Sequence, residues 1–122
     1  MRRKILVAED CSDIRELYQD ILSRNYDVTL ASSAQEALRI FERGLFDLVI
    51  TDMDTGPGIR GHDLIGHLFA QGHTNVLLVC GEPPQLPYIE RKLVVPQEYD
   101  YPFEQKPFIP RQLLERVRSL LE

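Results

Sequence analysis

Short apolar runs recur along the chain: Ile5-Leu6-Val7-Ala8, Val28-Thr29-Leu30-Ala31, Leu48-Val49-Ile50-Thr51 and Val76-Leu77-Leu78-Val79, with a weaker fifth near Tyr99–Phe103. Runs of this length without polar alternation suit strands covered on both faces, as in a parallel sheet. Between them, apolar residues return at helical spacing. Ile14, Leu17, Tyr18, Ile21 and Leu22 follow Ser12 and Asp13, either of which can cap. Ser33 and Glu36 have capping-box spacing ahead of a stripe of Ala34, Ala37, Leu38 and Phe41, and Gly44 suits that helix's end. Leu64, Ile65, Leu68 and Phe69 predict a third helix closed by Gly72. Pro110 opens a last one through Leu113, Leu114, Val117, Leu120 and Leu121.

Strands alternating with helices predict a doubly wound α/β sheet in a single domain over residues 1–122. Residues 81–98 break the pattern with Pro83, Pro84, Pro87 and Pro96. Proline disrupts a helix interior, so the fourth helix is expected to be irregular and short, around Tyr88–Leu93. No internal repeat, low-complexity tract or linker interrupts the chain.

Composition narrows the class. At 122 residues, with 43% hydrophobic and 27% charged residues, the chain can build a core without disulfides. The 14 Lys+Arg against 19 Asp+Glu leave a net charge of −5, the wrong sign for a phosphate-backbone binder, so no direct nucleic-acid binding is expected. Two cysteines, Cys11 and Cys80, fit a reducing cytosol better than a disulfide framework. The basic start Met1-Arg2-Arg3-Lys4 precedes too short an apolar stretch for a signal peptide, and no run reaches the roughly 20 residues of a bilayer span. A cytoplasmic protein without membrane contact is the expectation.

In a doubly wound sheet, ligands bind at the carboxyl ends of the strands. The first run ends in Glu9-Asp10, the third in Asp52-Met53-Asp54, the fourth in Cys80-Gly81, and the fifth leads into Lys106-Pro107-Phe108. Four acidic side chains and a lysine would converge on one edge. An acidic pair after a strand is, by itself, most often a solvated loop or a cap; here order and spacing together carry the reading. Crowded carboxylates call for a hard cation such as Mg²⁺, which takes one or two of them and keeps several waters. A lysine beside them offers a point charge to a phosphoryl group. Carboxylate nucleophile, Mg²⁺ and lysine are the parts of an aspartyl-phosphate site.

With these pieces in place, the chain resembles the response-regulator receiver domain of bacterial two-component signalling, a CheY-like module, from Lys4 to Leu121. The resemblance rests on Ile5-Leu6-Val7-Ala8-Glu9-Asp10, Asp47-Leu48-Val49-Ile50-Thr51-Asp52 and Lys106-Pro107-Phe108 before a final amphipathic helix. It implies a flavodoxin-like (βα)5 fold with one five-stranded parallel sheet in the order 2-1-3-4-5. It implies Asp52 as phosphoacceptor and a Mg²⁺ site of Glu9, Asp10, Asp52 and the main-chain carbonyl of Asp54. Lys106 would contact the phosphoryl group, Cys80 would stand at the Thr/Ser switch position, and Phe103 at the aromatic switch position. The implied donor is a phosphohistidine on a sensor histidine kinase or a histidine phosphotransfer protein, and the implied role is signalling by self-phosphorylation, not turnover catalysis.

Departures from the family pattern qualify this reading. Cys80 replaces a hydroxyl with a weaker, longer donor. The loop from Met53 to Gly61 is one residue longer than usual, and the prolines after Cys80 argue against the usual phosphorylation-driven dimer. Two other readings stand beside it. A receiver that signals through constitutive protein contacts without phosphorylation is favoured by Cys80 and the altered loops. A haloacid-dehalogenase-type phosphatase would use Asp52 as nucleophile and Asp54 as acid/base in Asp52-Met53-Asp54-Thr55, but that motif usually precedes its metal-binding acids, and here Glu9-Asp10 comes first. His62 and His67, about 140° apart around a helix, read as exposed helix residues, and Cys11 and Cys80 as free thiols. Whether the chain stands alone or belongs to a longer regulator or hybrid kinase is open at this point.

Overall fold

A computed structural model describes residues 2–42, 44–52, 58–80, 103–105 and 110–122, with the backbone alone at 80 and 103–105. Strands β1 (Lys4–Ala8), β2 (Asp27–Ala31), β3 (Leu48–Asp52), β4 (Val76–Cys80) and β5 (Phe103–Gln105) alternate with α1 (Ser12–Leu22), α2 (Ala34–Ile40) and α3 (Gly61–Ala70). Helix α4 (Pro110–Leu121) follows β5. All the strands pair in parallel, in the order β2-β1-β3-β4-β5. The expected doubly wound sheet and its strand order are therefore observed. The expected short helix near Tyr88–Leu93 lies outside the described residues.

The period of two along a strand explains the layering. On β1, β3 and β4, one set of side chains (Leu6, Ala8, Val49, Val76, Leu78) packs under α2 and α3 with Ala34, Ala37, Phe41, Leu64, Ile65 and Leu68. The alternate set (Ile5, Val7, Leu48, Ile50, Leu77, Val79) packs under α1 and α4 with Tyr18, Leu22, Leu113, Val117 and Leu121. Both faces of the central strands are thus sealed, which is why those runs carry no polar alternation.

Local signals set the helix ends, with some shifts from expectation. The Ser33 hydroxyl accepts from the Glu36 N–H at 3.0 Å, as its spacing predicts. The Glu36 carboxylate reaches one residue further back than a capping box would, accepting from the Ser32 N–H at 2.8 Å. Helix α2 stops at Ile40, and Phe41 turns extended so that its ring enters the core. Gly44 (φ 85°) instead serves the turn beyond. Gly72 (φ 86°) closes α3 as expected: its N–H donates to Phe69 O and the His73 N–H to Leu68 O, both at 2.9 Å, the paired bonds of a Schellman motif. Helix α1 is capped by neither Ser12 nor Asp13; Cys11 takes the N-cap position in extended conformation, with no side-chain cap bond. The fifth strand starts at Phe103, where its expected range ended.

The amino-terminal edge of the sheet is tied by side chains. The Asn75 Nδ2 donates to Asp47 O at 2.7 Å and to Leu120 O at 3.0 Å, joining the entry to β3 with the end of α4. The Asp47 carboxylate accepts from the Lys4 N–H at 2.8 Å and pairs with Arg3 at 3.6 Å. His73 sits half-buried here, its Nε2 2.9 Å from Asn75 O and its ring edge-on to Phe41 at 5.2 Å. Desolvation lowers its pKa below the ordinary 6.5, partly offset by that carbonyl and by the Asp47 charge.

Candidate functional site

At the opposite, carboxyl edge, Ala8 of β1 is in register with Thr51 of β3. The residues that follow, Glu9 and Asp52, therefore leave neighbouring strands side by side, at the point where the order β2-β1-β3 switches direction. Carboxylate oxygens of Glu9, Asp10 and Asp52 lie within 4.8 Å of one another. Glu9 is 1% exposed, Asp52 is half-buried and Asp10 faces solvent. A carboxylate as buried as Glu9 needs partners. The Cys11 N–H, at the start of α1, donates to its Oε2 at 3.2 Å.

The main chain around these acids is held firmly. The Glu9 N–H continues the β1–β2 ladder to Ala31 O at 3.0 Å. Arg15, in the opening turns of α1, turns back and donates from one Nη1 to Glu9 O at 2.8 Å and to Asp10 O at 3.1 Å. On β3, the buried Thr51 hydroxyl donates to Asp52 O at 2.9 Å.

Three carboxylates this close, one buried and two reachable, suit a hard divalent cation with oxygen ligands. Mg²⁺, bound by one or two carboxylates with retained waters, fits the donor set. Among the described residues no soft-metal ligand joins the cluster: the exposed thiol of Cys11 is outside it.

Of the site residues expected from sequence, Glu9, Asp10 and Asp52 are brought together. Cys80 ends β4, and Phe103 pairs with Leu78 at the start of β5, but their side chains are not described. Lys106 and Asp54 lie outside the described residues. His67 is exposed as expected, whereas His62 is buried, 3.7 Å from Asp63, because the first turn of α3 faces inward. Sequence reading passed over Arg15; its placement one turn after Cys11, within reach of the acidic pair, was the available signal.

Fold and site together define a flavodoxin-like α/β domain with an acidic centre at its topological switch point. Residues 5–118 match the response regulator receiver domain family. The chain is 31% identical over 119 residues to response regulator protein FleR of Pseudomonas aeruginosa, covering 96% of this chain and 24% of that protein. It is 32% identical over 122 residues to the uncharacterized transcriptional regulatory protein YrkP of Bacillus subtilis, covering 99% and 50% respectively. The chain thus spans half or less of the length of these curated relatives. Among solved structures, the chemotaxis protein CheY4 of Vibrio cholerae superimposes with a TM-score of 0.82 at 26% identity, over 99% of this chain and 100% of that one. A receiver domain protein from Clostridium thermocellum gives 0.81 at 27% identity, over 98% and 94%. The chain belongs to the response regulator receiver domain family and is a module of two-component signalling. Among the described residues, no helix is long and apolar enough to cross a membrane.

Proposed function

We propose that this receiver, acting in the cytoplasm, accepts a phosphoryl group on Asp52 from a phosphohistidine of a sensor histidine kinase or histidine phosphotransfer protein. The observation that carries this reading is the meeting of Glu9, Asp10 and Asp52 at one sheet edge. An Asp52 oxygen attacks phosphorus in line, the P–N bond breaks, and the imidazole leaves with the bonding pair and takes a proton from solvent. Glu9, Asp10, Asp52 and the main-chain carbonyl of Asp54 would hold Mg²⁺, which when bound neutralises charge on the transferring group. Lys106 would hold the product's oxygens. Cys80 and Phe103 would pass the change to a protein-binding surface as a shift between existing states. The thiol's weak donor makes that shift smaller than a hydroxyl would. The domain acts once per phosphoryl group received, as a signalling element and not a turnover enzyme.

The test is intact mass after incubation with Mg²⁺ and acetyl phosphate, with Asp52→Asn and EDTA controls. One phosphate adduct that requires both Mg²⁺ and Asp52 is expected. No adduct on folded protein, with either acetyl phosphate or phosphoramidate as donor, would favour the phosphorylation-independent binding module instead.

A further inference from the structure

We infer that Arg15 is a positioning residue for the acidic centre: it sets the cation affinity of Glu9 and Asp10 by clamping the main chain that carries them. The inference rests on the Mg²⁺ reading above and deepens it. Side chains in a helix's opening turns point back toward its N-terminus, and Arg15 follows this rule onto the β1–α1 loop. Its Nη1 bridges the carbonyls of Glu9 and Asp10 at 2.8 and 3.1 Å, so two consecutive peptide units share one planar donor. Its own N–H is bonded to Cys11 O at 2.9 Å, which fixes the base of the side chain against the same loop. Half-buried and rooted in this turn, Arg15 restrains the backbone on which both carboxylates sit.

Electrostatics alone predicts the reverse. A cation at a helix N-terminus opposes the helix dipole, and a guanidinium beside a Mg²⁺ site repels the ion. If Arg15 acted only through its charge, removing it would tighten Mg²⁺ binding. If it acts by holding the loop, removing it loosens the site, because losing a partner that orients metal ligands typically costs about 10–100-fold in metal affinity. The sign of the change separates the two roles.

The experiment is calorimetric titration of Mg²⁺ into the native chain, Arg15→Met and Arg15→Lys, with circular dichroism to establish folding. Arg15→Met is expected to raise the Kd about 10-fold, with Arg15→Lys between it and the native chain. Adduct formation by the Met variant should recover the native rate once Mg²⁺ is saturating, a recovery that general destabilisation would not give. A folded Arg15→Met variant that binds Mg²⁺ as tightly as the native chain, or more tightly, or an Arg15→Lys variant that binds it no better than Arg15→Met, overturns the role given to Arg15. A native chain that binds no Mg²⁺ overturns the cation reading itself, and this inference with it.

Discussion

Asn75 joins two ends of the fold that lie far apart in sequence, and its replacement tests whether polar ties at the lower edge hold the frame of the site. Its amide donates at 2.7 Å to Asp47 O, at the entry to β3, and at 3.0 Å to Leu120 O, near the end of α4. Each such bond contributes a net ~1 kcal/mol, so Asn75→Ala should cost about 2 kcal/mol. For a chain of this size that lowers the melting temperature by about 8 °C. Asn75→Asp keeps the shape but points two acceptor oxygens at two carbonyls, and should cost about 3 kcal/mol. The main-chain carbonyl of residue 75, which accepts from the Val49 N–H at 3.2 Å, is present in all three proteins, so the comparison isolates the side chain. Urea unfolding followed by circular dichroism reads the difference. If the Asp variant matched the native chain, packing and not hydrogen bonding would be what Asn75 supplies, and the reasoning would fail.

Further outcomes follow from the charges. Three carboxylates within 4.8 Å repel one another when ionised, so Mg²⁺ at ten times its Kd should stabilise the fold by about 1.4 kcal/mol. EDTA should remove the gain; a melting curve indifferent to Mg²⁺ would contradict the donor-set argument. In EDTA, Asp52→Asn should melt above the native chain, since it removes one of the three like charges. For His73, burial holds the folded-state pKa below 6.5, so the unfolded chain takes up that proton first as pH falls. Its contribution is fully present above pH 6.5 and is lost as pH drops through the folded-state value. His73→Gln should therefore flatten the variant's own stability profile on the acid side, so that the native-minus-variant difference shrinks as pH falls, and parallel pH profiles would argue against it.

Much of this was legible in the sequence because the signals were local or doubled. The central strands announced themselves through unbroken apolar runs, since both of their faces are buried. Ser33 and Gly72 were read correctly because a hydroxyl three residues before the N–H that donates to it, or a glycine at a left-handed turn, acts within a few residues. The errors arose where tertiary packing decided. Gly44 looked like a helix end, but the ring of Phe41 had to enter the core and stopped α2 earlier. His62 looked like an ordinary exposed helix histidine, although with Gly61 and Leu64 it lies among the buried residues at the start of α3. Cys11 lacks a cap's chemistry, yet the Glu9 carboxylate draws its N–H and fixes the start of α1. For the site, acidic residues at strand ends could be placed once the sheet order was expected. Arg15 was passed over because a helical arginine is ordinarily solvated and its bonds go to main-chain atoms, so its place one turn after Cys11 was the one signal pointing to the acidic pair.

The acidic centre belongs to no single stretch of chain. Glu9 and Asp10 leave β1, Asp52 ends β3, and they meet because Ala8 lies in register with Thr51. Closing that distance costs loop entropy that only the completed sheet repays. A chain emerging from the ribosome with β1, α1 and β2 already formed holds two of the three acids and nothing for them to act with. The centre is in this sense a certificate of completed folding: a copy in which β3 has not paired with β1 holds the same acids in sequence but cannot bring them together.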